Sequence, residues 1–197
     1  MALTLSRRHF AAIGAGLAAP GLASLAGFGK SARASDLPDA AGALGEIMPV
    51  PPPPFHFMNA GGRRLTLAHY RGEGLVVNFW ATWCGPCTRE LPTLAALNKV
   101  LLPDGIRVLP ISVDSSGARA VEPYYAKHHI EGLPVLVDPS SSALAAFHVD
   151  GIPLTVLIDR KGDMVARLEG AGDWNTPATA AKVRRLVGGA KPPVTQT

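Results

Sequence analysis

An α/β fold, with a mixed central β-sheet flanked by helices and an N-terminal β-hairpin extension, is the architecture this chain predicts. Three observations carry it. From Phe55 onward, apolar runs of strand length alternate with segments of helical spacing, an order that packs helices on the faces of a sheet. The last two runs, 154–158 and 164–168, flank Asp159-Arg160-Lys161-Gly162, a hairpin signal that adds antiparallel strands to parallel units. The only two cysteines stand together in Trp83-Cys84-Gly85-Pro86-Cys87, where an apolar run ends and helical spacing begins.

Residues 1–34 read as a leader of the twin-arginine type. Ser6-Arg7-Arg8-His9-Phe10 precedes a weakly apolar run over 10–29, and Ala32-Arg33-Ala34 then gives an A-x-A cleavage pattern. Pro20 and five glycines make 10–29 a poor membrane helix, so a removed export signal is expected, with a retained inner-membrane anchor as second choice. Residues 35–54 read as a Pro/Ala-rich linker whose four closing prolines favour extended polyproline structure. A folded domain over 55–190 follows, then a flexible tail over 191–197.

Within the domain, 55–58 and 65–67 flank Asn59-Ala60-Gly61-Gly62 and form the N-terminal hairpin. Residues 75–80 are a buried strand. Leu91, Leu94, Leu97 and Leu101 recur at helical spacing across 86–102, with Pro92 predicting a kink. A strand over 106–113, a helix over 119–129 with Pro123 near its first turn, a short strand over 133–137 and a short helix over 140–148 come next. The terminal hairpin and a helix over 176–187 complete the order.

Composition limits the function classes. The net charge is +4, and the first 34 residues hold four basic residues and no acid; the remainder carries 15 of each sign. The folded part therefore has no basic stripe for nucleic acid. With 47% hydrophobic residues it can bury a substantial core.

A chain that uses cysteine only here has not used it to staple a fold. A thiol at a helix N-terminus faces unpaired N–H groups and the positive end of the helix dipole, and the thiolate is the nucleophile in disulfide exchange. Structural zinc wants four Cys or His ligands, and no second CxxC exists; His128-His129 lie far off without ligand spacing. Haem attachment needs His after the second cysteine, where Thr88 stands. A static bridge over so short a loop stabilises little. Redox chemistry is favoured over all three of these readings.

The run from Val77 to Cys87, Val-Asn-Phe-Trp-Ala-Thr-Trp-Cys-Gly-Pro-Cys, followed by Glu90-Leu91-Pro92, resembles the TlpA-like branch of the thioredoxin superfamily, home of the exported ResA- and CcmG-type thiol–disulfide oxidoreductases. Gly151-Ile152-Pro153-Leu154-Thr155 is similar to that family's cis-proline strand. The resemblance covers about 55–175 and implies a thioredoxin-like fold. It implies that Cys84 attacks, that Cys87 is more buried and resolves, and that the two form a redox-active disulfide. Gly85-Pro86 sets the turn between them and leans the pair toward reduction. Trp83 shields the disulfide and offers an apolar docking surface.

The same resemblance makes the Ile152–Pro153 bond cis and turns it toward the cysteines, where Ile152 backbone pairs with an extended client strand; an ordinary strand-entry proline is the alternative. It also buries Glu90 beside the pair as a proton donor and acceptor, against a solvated first-turn carboxylate. Asn78 occupies the place of thioredoxin's buried aspartate and cannot titrate. Trp80 reads as core, Trp174 as packing or substrate contact, and His128, His129, His148, Tyr124 and Tyr125 as packing or surface residues.

The expectation is a periplasmic protein-disulfide reductase whose clients are of the cytochrome c maturation or copper-site assembly type. A membrane thiol donor of the CcdA/DsbD type would supply electrons. No cofactor besides the Cys84–Cys87 disulfide, no metal and no nucleic acid are expected, and membrane contact only if the leader is retained. The alternatives are a thiol oxidant, a thiol peroxidase, and a Cu(I)-binding carrier using the two thiolates.

Overall fold

The computed structural model describes residues 36–188; the residues of the expected leader and of the expected tail lie outside them. Eight strands form one sheet: β1 (Gly45–Val50), β2 (Phe57–Asn59), β3 (Arg64–Leu65), β4 (Gly74–Trp80), β5 (Ile106–Ser112), β6 (Leu136–Val137), β7 (Leu154–Ile158) and β8 (Met164–Glu169). Five helices accompany them: α1 (Ala40–Ala43), α2 (Gly85–Leu101), α3 (Ala118–His128), α4 (Ser142–Ala146) and α5 (Pro177–Val187). The strand order is β1-β8-β7-β4-β5-β6-β2-β3. β4, β5 and β6 run parallel, and the remaining pairings are antiparallel. The mixed α/β architecture and its hairpin extension are those the sequence predicts.

β4 is buried along its whole length, as expected of a strand covered on both faces. Its alternation splits the core. Val76 and Trp80 belong to the cluster filled by Leu91, Leu94, Leu97 and Leu101 of α2, Val121 and Tyr125 of α3, and Val183 and Val187 of α5. Leu75, Val77 and Phe79 face Phe55, Phe57, Ala143 and Phe147 on the other side. Asn78 shares parity with Val76 and Trp80, so the pleat turns its amide to the face that α2 covers. Trp80 is fully buried and stacks on Tyr125, ring centroids 5.8 Å apart.

One expectation is corrected. The span read as a linker, 35–54, holds α1 and β1 in its middle. Asp39 caps α1, accepting the Ala41 N–H at 3.0 Å, and β1 pairs with β8. The apolar pattern is silent because β1 is an edge strand whose residues are almost all exposed; its Pro49 is tolerated where one side of the strand has no partner. Backbone pairing, the buried Ala40 and Leu44, and Lys182 Nζ donating to the carbonyls of Ala41 and Leu44 hold the segment instead. Residues 51–56, the four prolines among them, form no regular element. Elsewhere the strand expected over 133–137 shrinks to two residues after Pro134, which lacks a donor. α2 runs unbroken through Pro92.

Candidate active site

β4 delivers the chain to its carboxyl end, and residues 81–84 turn it into α2. This turn is tied down by Asp114, just past β5. Its carboxylate accepts the Thr82 N–H at 2.9 Å, the Thr82 hydroxyl at 2.7 Å and the Ser112 hydroxyl at 2.7 Å. Cys84 then stands as N-cap of α2, its Sγ accepting the Cys87 N–H at 3.3 Å. Pro86 contributes no N–H of its own. Cys84 and Cys87 form a disulfide with S–S 2.02 Å. Cys84 keeps 6% of its surface exposed and Cys87 none, so an incoming sulfur has access to the first and not to the second. Once the bridge opens, the same N–H and the helix dipole stabilise a Cys84 thiolate.

The Ile152–Pro153 bond is cis. The Ile152 carbonyl oxygen lies 3.7 Å from Cys84 Sγ. In the disulfide no proton is available for a hydrogen bond there; in the dithiol form the Cys84 S–H can donate. Trp83, Gly85 and Pro86 are exposed around Cys84, Trp83 by 70%, and present an apolar rim.

Glu90 follows Cys87 by three residues, so both occupy one face of α2. Its side chain is completely buried. Three donors meet the carboxylate: Asn78 Nδ2 reaches Oε1 at 2.8 Å, and the Gly172 N–H and Trp174 Nε1–H each reach Oε2 at 3.0 Å. Burial pushes the acid up to about 7, against the pull of these three hydrogen bonds, which favour the charged form. Asn78 Nδ2 also donates to Thr155 Oγ1 at 2.9 Å, while its Oδ1 is buried without a partner. An amide flip would bring that oxygen to a protonated Glu90. The Asn78 site thus suits both states of the acid.

The structure therefore brings Cys84, Cys87, Glu90, Ile152 and Pro153 together, with Trp83, Gly85 and Pro86 at their rim. The sequence reading missed the groups that hold Glu90. Asn78 was marked only as an absent acid, although strand parity pairs it with α2. Trp174 carries no sequence signal, because only the return of the chain after β8 aims its indole at the acid. Asp114 was unmarked for the same reason. Tyr124 and His128 stack on each other, 4.2 Å between centroids, at the edge of the core. A hollow of about 470 Å³ between Pro51-Pro52-Pro53-Pro54, Tyr70 and the Asp159 turn lies away from the cysteines.

The family model of the AhpC/TSA family matches residues 50–167. Among curated proteins, the chain is 32% identical over 112 residues to the thiol-disulfide oxidoreductase ResA of Geobacillus kaustophilus, covering 57% of this chain and 63% of that one. It is 30% identical over 118 residues to ResA of Bacillus subtilis, covering 60% and 65%. The matches thus span under two-thirds of either relative. Among solved structures, a thiol:disulfide interchange protein of the thioredoxin family from Chlorobium tepidum aligns with TM-score 0.56 at 25% identity, over 71% of this chain and 99% of that one. An exposed lipoprotein thioredoxin from Streptococcus pneumoniae aligns with TM-score 0.57 at 27% identity, over 68% and 99%. The fold is thioredoxin-like, and the chain belongs to the AhpC/TSA family.

Proposed function

We propose that this chain is an exported thiol–disulfide oxidoreductase that reduces disulfides in client proteins. The observation that carries the reading is the pairing of an accessible Cys84 at the mouth of α2 with an enclosed Cys87 and a buried, proton-hungry Glu90 one turn further in. The Cys84 thiolate attacks one sulfur of the client disulfide; a Cys84–client bond forms and the other client sulfur leaves as thiolate. Glu90 carboxylate takes the proton of Cys87. The Cys87 thiolate attacks Cys84 Sγ, the mixed disulfide breaks, and the second client thiolate leaves. Two electrons pass from the dithiol to the client, and protons from Glu90 and solvent neutralise the products. Exposed Trp83 and the Ile152 backbone suit an extended client segment laid across the pair.

Gly85-Pro86, the dipeptide of thioredoxin, favours the reducing direction, because a dithiol with a less stable thiolate gives up its electrons more readily. Export to the periplasm rests on the Arg7-Arg8 leader and on similarity to an exposed lipoprotein. In an oxidising compartment the spent disulfide needs renewal, and the proposed source of electrons is a membrane thiol donor of the CcdA/DsbD type. Clients of cytochrome c maturation or copper-site assembly fit that setting. Among the described residues no helix is long and apolar enough to cross a membrane.

The test is client reduction at neutral pH by the reduced protein, using a peptide disulfide. Wild type should accelerate it and Cys84→Ser should fall to background. Peroxide turnover with a thiol donor should stay at background; turnover of peroxide in place of the peptide disulfide contradicts the reading.

A further inference from the structure

Two of the three donors on Glu90 come from one short loop, and the segment that follows the leader grips that loop. Gly172 and Trp174 flank Asp173 in the turn between β8 and α5. The Asp173 N–H donates to the Pro38 carbonyl at 2.7 Å, and the Ala40 N–H donates to the Asp173 carbonyl at 3.1 Å. Residues 39 and 173 thereby form a two-sided backbone bridge. Ala40 is fully buried against Gly172, so closely that a Cβ on Gly172 would stand 2.9 Å from that of Ala40. Asp39 fastens the same segment to α5, accepting the hydroxyls of Thr179 at 2.8 Å and Thr176 at 3.1 Å. From the other side, Thr93 Oγ1 of α2 accepts the Trp174 N–H at 3.1 Å.

We propose that Trp174 is a positioning residue for dithiol exchange, kept on the Glu90 carboxylate by a clamp made of residues 38–40, so that the segment leading out of the leader sets the proton affinity of the active site. The inference rests on the reading of Glu90 as the proton acceptor of Cys87. The geometry leaves few other controls. Asn78 faces the carboxylate from β4 with Thr155 of β7 behind it, and Gly172 and Trp174 face it from the loop. On its own helix stand Cys87 and Thr93. Of these only Cys87 can ionise, and only in the dithiol form, because in the oxidised protein it is held in the disulfide; the charges of Asp39 and Asp173 lie on the far side of the clamp. The acid is therefore adjusted by hydrogen bonds, and the loop supplies two of them to a single oxygen. Both favour the carboxylate, so loosening the loop must favour the protonated acid.

The experiment follows the Glu90 carboxyl by carbon-13 NMR as a function of pH in the oxidised protein, the resonance being identified by its loss in Glu90→Gln. Trp174→Phe keeps the ring and removes only the N–H. Its Glu90 midpoint should rise by about one pH unit or more, the effect of one hydrogen bond to a charged group. Client reduction at pH 7 should fall about fivefold as the ionised fraction drops, and recover at higher pH. Asp39→Ala, a change at an exposed side chain, should shift the midpoint the same way by less. An unmoved midpoint in Trp174→Phe, beside a wild type that titrates near 7, overturns the positioning role alone. An unmoved midpoint in Asp39→Ala removes the clamp. A wild-type Glu90 that titrates in the ordinary carboxylate range, or a pH profile of client reduction that Glu90→Gln leaves unchanged, overturns the proton-acceptor reading itself.

Discussion

Cys87→Ser should turn the protein into a trap: turnover is lost and a covalent adduct with client accumulates through Cys84. The variant keeps what makes Cys84 a nucleophile. The backbone N–H of residue 87 still points at Sγ, the dipole of α2 still favours an anion, and the Trp83 rim is untouched. What it loses is the sulfur that releases the client. With no second thiol in the chain to attack it, the adduct persists until an added reductant cleaves it. Mass spectrometry of the non-reduced protein after incubation with a peptide disulfide should show one peptide per chain, removed by reductant. Cys84→Ser should show none. An adduct on Cys84→Ser and not on Cys87→Ser would reverse the assigned order of attack.

Glu90→Gln should flatten the pH dependence of stability and shift that of the reaction. In the folded chain the acid is pushed up to about 7, above the ordinary 4.5, because burial outweighs its three hydrogen bonds. Between those values the folded chain holds a proton that the unfolded chain has released. The contribution of Glu90 to stability is therefore fully present below about pH 4.5 and is lost as pH rises through about 7, by roughly 3 kcal/mol in all. Glutamine carries no such cost. Its amide oxygen can accept from Gly172 and Trp174, and its NH₂ can donate to a flipped Asn78, giving Asn78 Oδ1 the partner it lacks. Urea unfolding of the oxidised proteins at pH 5 and pH 8 should show wild type weakening with pH and the variant nearly level. Equal slopes would contradict a buried, titrating Glu90. In turnover the variant lacks a base for Cys87, so client reduction should slow at neutral pH and follow instead the ionisation of the thiols.

Much of this was legible because local chemistry and tertiary role agree in the central strands. Residues 75–80 are apolar except for Asn78 since both faces of β4 are covered, and the helical leucines of α2 mark the side that packs on it. The cysteines could be placed at a helix start because a strand signal ends just before them. The edge was illegible for a complementary reason. β1 is held by backbone pairing and by polar ties from α5, neither of which leaves an apolar period, so the Ala, Gly and Pro content of the span around it reads as a linker. The same limit hid the support of Glu90. Trp174 and Gly172 lie more than 80 residues from the acid and meet it only through the path of the chain after β8. Asn78 was within reach of argument, since alternation from Trp80 sets its face, but its partner had to be known.

The most direct measurement is the redox equilibrium of Cys84 and Cys87 against defined dithiothreitol or glutathione couples, read by alkylation and mass. Both thiols should appear together in a two-electron step, at a potential on the reducing side, toward the roughly −270 mV of thioredoxin. A pair that fails to equilibrate with external thiols would contradict disulfide exchange altogether, and a midpoint near about −120 mV, the range of a strong oxidant, would contradict a reductase.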